Sequence, residues 1–162
     1  MRWLRHLLDF GLARRRFPPA VMDAIQRAIA ASEQGHAGEI VFAVEGSLSP
    51  GPLWRGEGAR QRAQAVFAQL RVWDTHANSG VLIYVLLAEH AVEIVADRGA
   101  AAVIGADAWQ GVCALMQQHF ADGAYERGAV AGIQAVGALL APHFPVGSAG
   151  NPDELSDRPV LL

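Results

Sequence analysis

The chain has 162 residues, of which 52% are hydrophobic and 18% charged. That is enough for one domain with a proper core, and too apolar for a disordered segment. A net charge of −3 and a pI near 6.0 exclude nucleic acid as the main partner, because a phosphate-binding footprint needs a basic excess.

Three segments follow from the patterning: a basic amphipathic stretch over residues 1–16, a domain over 17–145, and an extended tail over 146–162. In the first, Leu4, Leu7 and Leu8 share one side of a short helix beside Trp3, with Arg14, Arg15 and Arg16 close behind. Such a stretch suits contact with an anionic membrane surface, or docking on the protein's own core. It is broken by Asp9 and reads poorly as a signal peptide.

Pro18 and Pro19 preset a helix from about residue 20, with Val21, Ala24, Ile25, Ala28 and Ile29 at helical spacing and Gly35 as its stop. A strand is expected over 40–44. A Gly- and Pro-rich loop over 46–58 follows, whose Gly56-Glu57-Gly58 is too weak for a nucleotide loop. A second helix covers 59–70. The stretch 80–99 is the organising element: a continuous apolar run over 81–87, a polar break at Ala88-Glu89-His90, and a second run over 91–96 whose one charge is Glu93. It reads as an antiparallel hairpin with a central strand buried on both faces. Helices over 108–120 and 125–140 complete the domain. Gly128, Gly132 and Gly137 imply that the last helix lies against the sheet at close range. Cys113, the single cysteine, reads as a small core hydrophobe, and no disulfide can form within the chain. All 13 basic residues are Arg, which reflects coding bias and gives no functional cue.

Strand, helix, strand implies a right-handed crossover and parallel pairing of the first two strands. The fold class is therefore α/β: a three-layer α/β/α sandwich with a small mixed sheet of three to four strands and four to five helices. That topology brings three polar clusters to one edge: Ser32, Glu33, His36 and Glu39; Asp74, Thr75, His76 and Asn78; Asp97 and Arg98. Asp97, Asp74 and Glu39 are candidate ligands for a hard cation, Ca²⁺ or Mg²⁺. Glu33, His36, Thr75, Asn78 and Arg98 form the surrounding edge cluster, with Arg98 suited to an anion or an ion pair. The same residues also suit loop capping, so a purely structural edge is the competing reading. No metal-ligand spacing, no Gly-x-Ser-x-Gly elbow and no phosphate loop is present, and no catalytic residue is assigned. His90, His119 and His143 stand alone.

The ordered set Ser32-Glu33, His36-x-Gly38-Glu39-Ile40, Phe67-x-x-Leu70-x-x-Trp73-Asp74-Thr75 and Asn78-x-Gly80-Val81-Leu82-Ile83-Tyr84 resembles the TPM-domain family. It continues through Val92 to Gly99, Trp109, and Phe120-x-x-Gly123-x-Tyr125-x-x-Gly128-x-x-x-Gly132-Ile133. The tail Asn151-x-x-Glu154-Leu155-x-Asp157-Arg158-Pro159 is similar to the ending of that family's short bacterial branch, which has neither signal peptide nor membrane anchor. The resemblance implies an α/β/α sandwich, structural roles for Gly99, Trp109, Gly128 and Gly132, and a cytoplasmic location, either free or membrane-peripheral. It implies an accessory role with a protein partner, a LemA-like membrane protein or another TPM-domain protein. Family members described as acid phosphatases or Ca²⁺ binders imply two alternatives. One is a metal-dependent phosphatase-like hydrolase with Asp97, Asp74 and Glu39 on the ion and Arg98 on the phosphate; the other is a Ca²⁺-binding structural domain. Where secreted members carry Gly-x-Gly-Leu-Glu, this chain reads Ala96-Asp97-Arg98-Gly99-Ala100, without the glutamate.

Overall fold

Two strands that no water reaches form the centre of the molecule. In the computed structural model, which describes residues 2–7, 11–148 and 150–162, β1 (Glu39–Glu45) and β2 (Gly80–Leu86) are buried at every position. They pair in parallel from Glu39↔Gly80 to Glu45↔Leu86. Apolar, β-branched runs of this length belong in a sheet covered on both faces. β3 (Ala91–Ala96) returns antiparallel along β2. Its register places Glu93 beside Tyr84, and its burial is only partial, as the lone charge predicts.

The fourth strand falls within the three to four expected, but it comes from a segment not read as a strand. The tail expected to lie extended along the surface adds β4 (Val160–Leu161) in parallel to β1 at Ala43 and Val44, giving the order β3-β2-β1-β4. A two-residue strand carries almost no periodic signal, so only its tertiary pairing reveals it.

Alternate residues of the strands feed two cores. Ile40, Phe42, Val44, Val81, Ile83 and Val85 face one side, with α3 (Pro19–Glu33), α7 (Ala106–Ala121) and α8 (Tyr125–Leu140). Val41, Ala43, Leu82, Tyr84 and Leu86 face the other, with α4 (Pro50–Trp54) and α5 (Ala59–Gln69). These are the three layers, and each fully buried Ile or Phe contributes about 1.5–3 kcal/mol through burial. The four long helices match those read from periodicity. Three shorter ones were not anticipated as regular structure: α2 (Leu12–Arg16), α4 inside the Gly/Pro loop, and α6 (Arg98–Val103).

α1 (Arg2–Leu7) is the short N-terminal helix. It is not anchored by Trp3 or Leu4, which are 43% and 57% exposed. His6 anchors it: the Leu48 N–H donates to His6 Nδ1 at 3.0 Å, and His6 Nε2 lies 3.1 Å from Glu89 Oε1. With Nδ1 accepting, Nε2 carries the proton and donates to the carboxylate. Leu8 and the Leu7 side chain lie outside the described residues.

The glycines of α8 require a second correction. Gly128 and Gly132 meet helix α7, not the sheet: a Cβ at Gly128 would lie 2.7–2.8 Å from Phe120 and His119, and one at Gly132 2.3 Å from Met116 Sδ. Gly137 abuts Ser32 and His36 of the α3 end. Helical spacing identifies a face that needs close approach but not what lies opposite it. Trp109 is buried in the larger core, and Gly99 fits beneath the carbonyls of Ala77 and Asn78.

Of these glycines, Gly80 is the least replaceable, because a Cβ there would stand 1.9 Å from the Val72 carbonyl oxygen, which is backbone and has no room to shift. Gly80→Ala is expected to cost about 3 kcal/mol or more. Gly111→Ala, in open space on helix α7, should instead stabilise by up to about 1 kcal/mol. Urea unfolding of the two variants beside the parent measures both, and equal stability for Gly80→Ala would refute the packing account.

Candidate functional site

Where α3 ends and β1 begins, the chain buries two carboxylates six residues apart. Glu33 Oε1 accepts the Ile40 N–H at 2.7 Å, which ties the last turn of the helix to the first residues of the strand. Glu39 Oε2 accepts the Leu155 N–H at 3.2 Å from the tail, while Glu39 Oε1 is buried and has no hydrogen-bond partner. The tail passes directly over this spot. Asn151 Nδ2 donates to the carbonyls of Glu33 and His36 at 3.3 and 3.1 Å, and Glu154 Oε2 accepts the His76 N–H at 2.8 Å. Asp153 and Asp157 are thereby brought beside the two glutamates. Oxygens of Glu33, Glu39 and Asp153 lie within 4.8 Å of one another, and the buried Oδ1 of Asp157 also has no donor.

Such crowding changes the acid–base chemistry. Burial pushes Glu33 up to about 9, with the negative charges of Glu39 and Asp157 adding to it and the Ile40 N–H opposing. Burial likewise raises Glu39, against the Leu155 and Glu154 N–H groups, and raises Asp157. The contact between Glu33 and Asp157 raises the first and lowers the second, so a proton held by Glu33 is shared with Asp157. The group has two ways to neutralise itself: protons, or a cation.

The far end of β1 provides the control. Glu45 is as buried as Glu33, yet Arg62 donates to both of its oxygens at 2.8 and 3.1 Å and the Tyr84 hydroxyl donates at 2.6 Å. That carboxylate is fully satisfied. Glu39, one strand length away, has a free buried oxygen.

The other residues singled out from sequence fall around this cluster, not within it. Asp74 is exposed and bonded to Arg71 Nη2 at 2.8 Å. Asp97 is buried as the N-cap of α6, its Oδ1 accepting the Arg98 N–H at 2.8 Å and its Oδ2 without a partner. The exposed Arg98 guanidinium reaches Asn78 Oδ1 at 3.2 Å. Thr75 Oγ1 accepts the Ser79 N–H, and the Asn78 carbonyl accepts from Gly99 and Ala100. Ser79 Oγ in turn bonds the Ala37 carbonyl at 3.3 Å, so the loop before β2, the start of α6 and the start of β1 do share one edge. His36 is buried between Ser32 and the backbone: Gly38 N–H donates to its Nδ1 at 3.2 Å, and Ser32 Oγ is 3.0 Å from its Nε2. The tautomer follows, with Nε2–H donating to Ser32, and burial keeps the ring below its ordinary pKa and neutral. Ser32 is then a hydrogen-bond acceptor and is not activated as a nucleophile. Cys113 is equally unreactive, its thiol pushed up to about 11 by burial.

Asp153 and Asp157 are the acids that sequence reasoning missed. The signal available was the acid-bearing tail Asn151-x-x-Glu154-Leu155-x-Asp157, whose position over the edge depends on backbone bonds that no spacing announces.

Compared with known proteins, residues 16–139 match the sequence pattern of the TPM domain. Among solved structures, the chain is similar to the BA42 protein of the psychrophilic bacterium Bizionia argentinensis, with 29% identity and a TM-score of 0.77, covering 88% of this chain and 93% of that one. The N-terminal domain of a P. gingivalis protein shares the fold at 19% identity, with a TM-score of 0.61 over 78% of this chain and 77% of its own. Among curated proteins none matches. No helix among the described residues is long and apolar enough to cross a membrane.

Raised carboxyl pKa values set the sign of the pH dependence. Glu33 binds its proton more tightly folded, at about 9, than unfolded, near 4.5, so its contribution is complete below 4.5 and is lost as pH rises through 9. In chelator, the melting temperature should therefore fall as pH is raised from 5 to 9. Glu33→Gln keeps the acceptor for Ile40 and removes the charge, so its profile should be shallower. Parallel profiles for the two proteins would show that Glu33 does not titrate in this window.

Proposed function

The chain belongs to the TPM domain family, and from that premise we propose that it is an accessory module holding one divalent cation, Ca²⁺, between its sheet edge and its C-terminal tail. Glu33, Glu39 and Asp153 supply the first carboxylates, and Asp157 stands next to them. The observation that carries this reading is the orphaned Glu39 Oε1: it is fully buried, unpaired, and belongs to a residue of the acid group. A buried carboxylate oxygen without a donor costs free energy unless a proton or an ion meets it. Oxygens within 4.8 Å of one another suit opposite sides of one Ca²⁺, whose bonds of about 2.4 Å tolerate irregular geometry. Mg²⁺, smaller and strictly octahedral, fits this open arrangement less well.

The cation would fasten the tail. Asp153 and Asp157 belong to the tail and Glu33 and Glu39 to the domain, so one ion would bridge segments more than a hundred residues apart. It would hold β4 against β1 and keep a single surface on offer to a protein partner, of the LemA-like or TPM-domain kind that the resemblance implies. Asp74, which the sequence reading placed on the ion, is neutralised by Arg71 and has no part in this arrangement.

Thermal unfolding against rising Ca²⁺ tests the proposal. The parent should show a saturable rise, equivalent to about 2.7 kcal/mol at a hundred times the dissociation constant. Glu39→Gln and Asp153→Asn should lose the rise while remaining folded, and Asp74→Ala should keep it. A rise of the same size in Glu39→Gln, or none in the parent, would overturn the assignment.

A further inference from the structure

The end of the sheet opposite the acids has the reverse chemistry. Residues 1–16 hold five arginines and one acid, a net +4, while the other 146 residues carry eight arginines against 15 acids, a net −7. The structure places the described parts of this segment, residues 2–7 and 11–16, at the C-terminal end of β1 and β2. His6 bonds Leu48 just after β1 and Glu89 just after β2, and the Arg16 guanidinium lies over the Tyr125 ring at 5.1 Å at the start of α8. The acid cluster sits at the other end of β1, six residues or about 20 Å away.

The same basic end exposes large apolar side chains. Trp54, at the end of α4, is 79% exposed, and Trp3 and Leu4 of α1 are 43% and 57% exposed. The Trp3 and Trp54 rings meet edge to face, with centroids 5.9 Å apart, so two segments far apart in sequence build one aromatic knob. Arg14 and Arg15 are exposed in the adjoining α2, while Arg55 beside Trp54 is paired with Glu57 at 2.6 Å. Neither indole is needed to hold α1 in place, since His6 does that from the opposite side of the helix to Leu4.

We propose that this end of the molecule docks on an anionic lipid bilayer, with Trp3, Leu4 and Trp54 entering the interface and the arginines facing lipid phosphates. Charge complementarity selects the occupant: a +4 segment on a −7 body orients the basic end toward a negative plane and the acid end away from it. Indole rings beside guanidinium groups suit the bilayer interface, where one end of each side chain is apolar and the other wet. The proposal is independent of the cation site, which lies at the other end of β1.

Flotation of the full chain with liposomes of phosphatidylcholine, with and without 30% phosphatidylglycerol, tests it, together with the tryptophan emission. Expected are binding to the anionic liposomes alone, a blue shift of the emission, and release at 0.5 M salt. Trp3→Ser with Trp54→Ser, both at exposed positions, should lower the partition coefficient at least tenfold with no change in melting temperature. Arg14→Glu with Arg15→Glu should do the same. Absence of binding by the parent, equal binding to neutral liposomes, or undiminished binding by the tryptophan pair would each overturn the proposal. So would a concentration-dependent dimer that the tryptophan pair abolishes, in place of lipid binding.

Discussion

One hydrogen bond sets the chemistry of the acid end: the Ile40 N–H to Glu33 Oε1, at 2.7 Å. It closes the connection between helix α3 and strand β1, and it does so with a carboxylate held where it is 8% exposed. Burying that group commits the surroundings. Its charge must be met by a proton, an ion or an opposite charge. The tail supplies hydrogen bonds to the neighbouring carbonyls through Asn151 and to Glu39 through the Leu155 N–H, yet it also adds three more acids, Asp153, Glu154 and Asp157. The tail therefore docks on a site whose charge it makes worse. That is an unfavourable arrangement for a purely structural edge, and a favourable one for a site completed by something positive.

The two ends of β1 separate what stabilises from what remains unfilled. At Glu45 the strand terminates in a carboxylate with Arg62 on both oxygens and Tyr84 on one, all enclosed by the smaller core. At Glu39 the same strand begins with a carboxylate that meets only backbone N–H groups of the tail and has one empty oxygen. Both side chains are buried. The asymmetry extends to the chain's ends, with Trp3, Arg14 and Arg15 beyond Glu45 and Asp153 and Asp157 of the tail before Glu39.

How far the sequence was legible depended on the kind of force involved. β1, β2 and β3 were readable because burial on two faces demands unbroken β-branched runs, and the parallel crossover follows from chirality. α8 was readable to its ends, residues 125–140, because its stripe keeps helical spacing. The shared edge of Glu33, His36, Glu39, Thr75 and Asn78 followed from topology alone. What failed was anything settled by one side chain meeting one backbone group. His6 among leucines gave no sign that it is the anchor of α1. The glycine stripe announced a close approach, but its partner, Met116 and Phe120 and not the sheet, depends on how α7 and α8 pack. Asp153 and Asp157 sit in a segment without periodicity, and their place over Glu33 and Glu39 is decided by Asn151 and Leu155.

Protons and a cation satisfy the acid cluster in different ways, and the difference bears on what the cluster is for. A proton bridges two carboxylates at most, so one held by Glu33 would leave Glu39 Oε1 unmet. A divalent ion gathers three or more oxygens at once, so it alone would bring Glu39, Asp153 and Glu33 under one constraint. Protons and ion compete for the same oxygens, because ligating carboxylates must first be deprotonated. With Glu33 raised to about 9, it keeps its proton at neutral pH unless something positive displaces it. On the proposed reading, the exposed Asp153 would be the carboxylate that an incoming ion meets first, with Glu33 yielding last. On the proposed reading, Glu33, which holds its proton most tightly, would release it only to the bound ion and so would couple the tail's attachment to that ion, which a simple salt bridge at Glu33 would not.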